Sequence, residues 1–145
     1  MTIISRSSLV LHTPDQMFDL VNDIEAYPLF LPWCKSSHII SKTDEKVVAS
    51  LTLSKAGLTH SFTTENINIK GETIKIRLVD GPFNHLEGLW QFKPIGNNDG
   101  TRVQLDMDFE ISNGILAVAL GPVFTQISGS LVDAFCKRAQ EIYGN

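Results

Sequence analysis

The sequence predicts an α+β fold in which a curved antiparallel sheet grips one long C-terminal helix. Three observations lead there. Apolar and polar residues alternate through most of the first 111 positions, most cleanly where Val103, Leu105, Met107, Phe109 and Ile111 face one way and Gln104, Asp106, Asp108 and Glu110 the other. Such alternation gives a sheet with one dry face and one wet face, which suits antiparallel pairing. The breaks between strand-like stretches are a few residues long, too short for the crossovers that parallel strands need. In the last roughly thirty residues, apolar side chains recur every three or four positions, as on one face of a helix. A dry sheet face and an amphipathic helix must each bury their apolar side, and each can bury it against the other.

The elements follow in order. Residues 3 to 12 read as a first strand. Thr13-Pro14-Asp15-Gln16 carries a helix start: a capping threonine, a proline at the first helical position and a glutamine that completes a capping box. Met17, Leu20, Val21 and Ile24 then mark one helical face. Residues 27 to 34, Tyr-Pro-Leu-Phe-Leu-Pro-Trp-Cys, are almost wholly apolar, yet Pro28 and Pro32 forbid a long helix or a central strand. Tyr27, Phe30, Leu31 and Trp33 are therefore presented from a short, stiff element that either plugs the core or walls a greasy site. Further strands are expected near 37–43, 46–54, 58–69, 73–80, 86–94 and 103–111, divided by turn signals at Thr43-Asp44, Ala56-Gly57, Lys70-Gly71, Gly81-Pro82 and residues 96–100. The C-terminal stripe comprises Leu116, Leu120, Val123, Phe124, Ile127, Leu131, Ala134, Phe135, Arg138 and Ile142. A helix of that length measures about 45 Å, and Gly121-Pro122 is expected to kink or split it.

Composition narrows the function classes. The 145 residues suit one domain spanning 1–145, and 43% hydrophobic with 19% charged residues describes a globular chain. No continuous apolar run approaches the ~20 residues that cross a bilayer. The N-terminal stretch alternates like a strand and lacks the features of a secretion signal. The expectation is a cytoplasmic protein able to meet the inner membrane peripherally. Cys34 and Cys136 are too few for a disulfide framework and too far apart for zinc-ligand spacing. Net charge is −4, from 12 Lys and Arg against 16 Asp and Glu. The only close basic groupings are Lys75 with Arg77 and Lys137 with Arg138, which argues against DNA or bare RNA as partner.

Catalytic chemistry is hard to find. Asp106, Asp108 and Glu110 share a strand face, but alternate residues on a strand diverge rather than close around a cation. His12, His38, His60 and His85 have no metal-ligand spacing, and His85 is expected to be exposed in the Gly81-Pro82-Phe83 loop. No phosphate loop and no nucleophile elbow is present. His60 and Tyr27 are the only candidate acids or bases for an enzyme reading. The expectation is no catalytic site, no metal and no cofactor.

The chain resembles the coenzyme Q-binding START-like family within the polyketide cyclase/dehydrase and lipid transport superfamily, and in particular its bacterial ribosome association toxin branch. The residues that carry the resemblance are Asn22-Asp23-Ile24, Tyr27-Pro28-x-Phe30-Leu31-Pro32-Trp33-Cys34, Phe62-Thr63-Thr64-x-Asn66 and Asp80-Gly81-Pro82-Phe83-x-x-Leu86 with Trp90 and Phe92. Leu105-x-x-x-Phe109-Glu110 and Ala134-Phe135-x-x-Arg138-Ala139 complete it, in order along nearly the whole chain. The resemblance implies a helix-grip (START/Bet v1-like) fold. It also implies a hydrophobic cavity for an isoprenoid quinone such as ubiquinone, held as a ligand in support of respiration. The bacterial branch implies instead a toxin that binds the large ribosomal subunit and blocks its joining to the small one.

For a lipid-like guest, the expected site places Phe30, Leu31 and Trp33 at the mouth, Phe83 and Leu86 on a flanking loop, and Trp90 and Phe109 on the sheet. Leu116, Leu120, Val123, Phe124, Ile127 and Leu131 form the helix wall. A docking role would draw on Lys75, Arg77, Lys137 and Arg138 as one local patch.

Overall fold

The computed structural model describes residues 2–97 and 99–144; Asn98, in the turn expected at 96–100, lies outside the described residues. Seven strands, β1 (Thr2–Val10), β2 (Cys34–Lys42), β3 (Lys46–Lys55), β4 (Leu58–Ile69), β5 (Thr73–Asp80), β6 (Phe83–Ile95) and β7 (Gly100–Ile111), form one sheet. Its order is β1-β7-β6-β5-β4-β3-β2, antiparallel throughout. Helix α1 (Pro14–Asn22) and a 3-10 helix (Ile24–Leu29) follow β1, and helix α2 (Gly114–Tyr143) ends the fold. This is the helix-grip architecture that the alternation and the terminal stripe predict.

Local chemistry fixes the boundaries. At α1 the capping box forms as read: the Gln16 amide donates to Thr13 Oγ1 at 3.2 Å and the Thr13 amide to Gln16 Oε1 at 2.9 Å. At α2, Asn113 Oδ1 accepts from the amides of Ile115 and Leu116, satisfying two of the helix's otherwise orphaned donors. Ala56 and Gly57, with φ of 55° and 79°, make the two-residue turn from β3 to β4, the left-handed geometry that matches strand twist. Register shifts at Cys34/Ser36, Ile39/Ser41, Thr63/Thr64 and Phe83/His85 bend the sheet.

Several expectations are corrected. Strand β1 stops at Val10, and Leu11 stands out in solvent. Strand β2 begins at Cys34, inside the proline-rich tract, because Cys34 pairs with Leu53 once Pro32 is passed. Phe83 is not in a loop: it opens β6 opposite Ile111 and is buried. His85 is half-buried on that strand, its Nε2 3.4 Å from Asp108 Oδ2. Pro122 does not split α2, which runs unbroken for 30 residues. The proline lies on the exposed side, opposite buried Leu120 and Phe124, so packing on the other face holds the helix across it. Ile142, read as part of the buried stripe, is exposed, whereas Ser128 and Val132 are buried instead.

The membrane criterion also changes. Helix α2 is long and apolar enough, by length and composition, to cross a bilayer. The 22 residues from Ile111 to Val132 carry no charge, but scattered Ser, Gly, Thr and Gln interrupt the apolar run and hide it from a search for continuity.

Candidate functional site

Helix α2 lays Phe124, Ile127, Ser128, Leu131 and Phe135 along one face at helical spacing, all against the sheet. Two aromatic clusters form around the large members. Phe124 packs against Phe109 at 4.7 Å between ring centroids, against Phe83 at 5.0 Å and against Phe62 at 6.0 Å. Phe135 packs against Tyr27, Phe30 and Trp90 at 5.3, 5.3 and 5.4 Å. Between them the helix offers the small Ser128, and the sheet offers Ala49 and Thr64. Small residues between two bulky clusters leave a hollow, and one is present.

The hollow has a volume of about 80 Å³. That admits a few water molecules, and it is well below the ~300–1,000 Å³ of pockets that take drug-sized ligands. Ile24, Tyr27 and Trp33 wall it from the proline-rich end, Met107, Ile76, Leu86 and Trp90 from the central strands, and Leu51 and Phe62 from β3 and β4. Its polar groups are Thr64, Asn66 and Ser128. Thr64 Oγ1 lies 3.4 Å from Asn66 Oδ1, a long contact, and Ser128 Oγ is buried with no hydrogen-bond partner among the described residues. The arrangement can hold a small apolar group carrying one hydrogen-bonding atom.

Of the residues expected to line a site, Trp33, Leu86, Trp90, Phe124, Ile127 and Leu131 meet at this hollow. Phe83 and Phe109 are absorbed into the Phe124 cluster that closes one end. Leu31 is buried in the core, its carbonyl accepting from the Cys34 amide. Phe30 sits outside the hollow, between Phe135 and the Arg138 guanidinium, which lies 5.0 Å over its ring. Leu116, Leu120 and Val123 belong to the N-terminal turns of α2, beyond the Phe124 cluster. The polar trio is not among the residues that the sequence expectation places at the site. Thr64 and Asn66 stand in a strand with polar residues on both faces, so alternation does not say which side is inner; Ser128, four residues after Phe124 and seven before Phe135, was legible from spacing.

The acid–base candidates are quiet. The Tyr27 hydroxyl donates to the Val21 carbonyl, and burial, reinforced by Cys34 and Asp23, holds the phenol far above the usual tyrosine range. Burial pushes the Cys34 thiol up to about 11. His60 does not line the hollow. Among the described residues no three His, Cys, Asp or Glu side chains gather as a metal site. The basic residues do not form one patch: Lys75 and Arg77 project from the sheet face away from α2, with Arg77 paired to Glu65, while Lys137 and Arg138 are on α2 itself.

Comparison with known proteins agrees with this architecture. The family model described as Polyketide cyclase / dehydrase and lipid transport matches residues 10–136. A protein of Pseudomonas aeruginosa named Ribosome association toxin RatA is 41% identical over 143 residues, covering 99% of both chains. Coenzyme Q-binding protein COQ10 homolog B, mitochondrial, from Xenopus laevis is 29% identical, over 97% of this chain and 59% of its own. These two relatives are named for association and binding rather than for catalysis. Among solved structures, the Zhui aromatase/cyclase from Streptomyces superposes with a TM-score of 0.82 at 17% identity, over 96% of this chain and 93% of that one. A START superfamily protein from Mycobacterium smegmatis superposes with a TM-score of 0.76 at 22% identity, over 97% and 98%. At such identities the likeness speaks for the fold alone. The family match over most of the length is independent of them, and the chain belongs to the polyketide cyclase / dehydrase and lipid transport family.

Proposed function

We propose that the protein acts by associating with the ribosome, binding the large subunit and obstructing its joining to the small one, so that translation initiation is inhibited without catalysis. The observation that carries this reading is the end-to-end likeness to a protein named Ribosome association toxin RatA, 41% identical over 99% of both chains. The interior supports it from the other side. A hollow of about 80 Å³ gives a prenylated quinone little room, so a function on the outer surface is favoured over one that needs a large internal guest. The experiment is sedimentation. Overproduction should deplete joined ribosomes, and the protein should travel with large subunits; a protein that stays at the top of the gradient while joined ribosomes persist defeats the reading.

A second reading, a non-enzymatic binder of an isoprenoid quinone working at a membrane surface, has one specific support. The hollow is apolar apart from Thr64, Asn66 and Ser128, and a relative named as coenzyme Q-binding is 29% identical along 97% of the chain. Burying an isoprenoid tail gains about 25 cal/mol per Å², but the aromatic clusters would have to part to receive it. Organic extraction of the purified protein followed by mass spectrometry tests this; no isoprenoid, retained or taken up, ends it.

A further inference from the structure

We infer that the first turns of α2 are the face that docks on the ribosome, and that they enter an apolar, basic-rimmed groove of a protein rather than meeting RNA phosphate. The inference rests on the ribosome reading. A helix apolar on all sides is normally buried on all sides, and α2 is not: only 28% of its most apolar 18-residue stretch is buried. Leu120 and Phe124 face the sheet. On the opposite side Ile115 and Val118, 86% and 80% exposed, join exposed Ala119 and Pro122 in a stripe at i, i+3, i+4 and i+7 that nothing among the described residues covers. That spacing is how an amphipathic helix presents anchors to a hydrophobic groove.

Charge decides what the groove belongs to. The 34 residues from Val103 to Cys136 contain no Lys, Arg or His. Along the sequence the charges that flank the helix stripe, Glu110 before it and Asp133 after it, are acidic and exposed. The Arg6 guanidinium of β1 comes against α2 only at Gly129, about two turns past Pro122. RNA phosphate would be repelled there, and an anionic bilayer would lack the basic residues that hold interfacial helices to headgroups. A protein groove, apolar within and basic at its rim, complements both the stripe and its flanks.

The test measures binding of the purified chain to purified ribosomal subunits by co-sedimentation, at fixed magnesium and varied monovalent salt. Wild-type protein should bind with an affinity that changes less than about threefold between 50 and 200 mM salt, where six or more phosphate contacts would cost roughly 10³-fold. Ile115→Glu with Val118→Glu should weaken binding at least about tenfold, with an unchanged melting temperature because both side chains are already exposed. Lys75→Glu and Lys137→Glu should bind as wild type. If wild-type protein does not sediment with subunits, the ribosome reading itself falls. If it does and the double variant binds equally, or the salt dependence is steep, only the docking face is wrong. Flotation of wild-type protein with phosphatidylcholine vesicles, or a dimer that the double variant dissolves, would likewise assign the stripe to another occupant and overturn it.

Discussion

Tyr27 donates its buried phenolic hydroxyl to the main-chain carbonyl of Val21. The bond ties the 3-10 helix to the last turn of α1, where carbonyls have no helical partner. Its ring meanwhile stacks edge-on against Phe135 of α2 at 5.3 Å, so one side chain joins three helical elements. Tyr27→Phe keeps the ring and orphans the carbonyl. The expected loss is about 1–2 kcal/mol, read by urea denaturation as a lower midpoint with an unchanged slope. An unaltered midpoint would mean that the carbonyl finds water.

The same burial sets the alkaline limit of stability. Tyr27 holds its proton far above the ordinary tyrosine value, mainly through desolvation, while the unfolded chain releases it near pH 10. Folding is therefore supported fully below that value and loses this support as pH rises beyond it, since the unfolded state then binds fewer protons. Stability should be flat near neutral pH, begin to fall above about pH 8.5 as the unfolded chain releases the Cys34 proton, and fall more steeply above about pH 10 as it releases that of Tyr27. Tyrosinate absorbance should show one of the two tyrosines ionising only as the protein unfolds. Cys34, pushed up to about 11 by burial, should react slowly with iodoacetamide at neutral pH.

Ala56 has φ of 55° at the first position of the β3–β4 turn, and Gly57 follows with 79°. An alanine there bears the left-handed strain that asparagine relieves by local hydrogen bonding. Ala56→Asn should stabilise the protein by about 0.5–1 kcal/mol, or roughly 2–3 °C in melting temperature. A lower melting temperature would show that the turn has another geometry in solution.

How far the sequence reveals the molecule depends on what each residue reports. The strands from β3 to β7 are legible because alternation such as Val103 to Ile111 directly encodes a half-buried strand. The pairing of β1 with β7 is not, because 89 residues separate His12 from Thr101, whose hydroxyl bonds its carbonyl, and no local pattern spans such a distance. At the site, apolar character is legible but its use is not. Phe83 and Phe124 are equally greasy in sequence, yet only Phe124 borders the hollow, because whether a ring meets space or another ring depends on packing around it. Asn66 and Ser128 are harder to place for the reverse reason, since polarity predicts exposure and both are buried, although the helical spacing of Ser128 from Phe124 and Phe135 marks its face.

Ser128 carries the sharpest consequence of that burial. Its side chain is 1% exposed, and on the wall of an apolar hollow its Oγ has no partner among the described residues. A hydroxyl in that position costs about 1–3 kcal/mol of desolvation, and alanine is the better helix former by about half a kcal/mol. Ser128→Ala should therefore raise stability by about 1–2 kcal/mol, at little packing cost because a single atom is removed beside existing space. Under the ribosome reading the variant should also sediment with large subunits as wild type does, since α2 turns this face toward the sheet. Under the quinone reading it should lose isoprenoid retention while gaining stability. Destabilisation by Ser128→Ala would contradict the expectation directly and indicate that something in the hollow already bonds the hydroxyl.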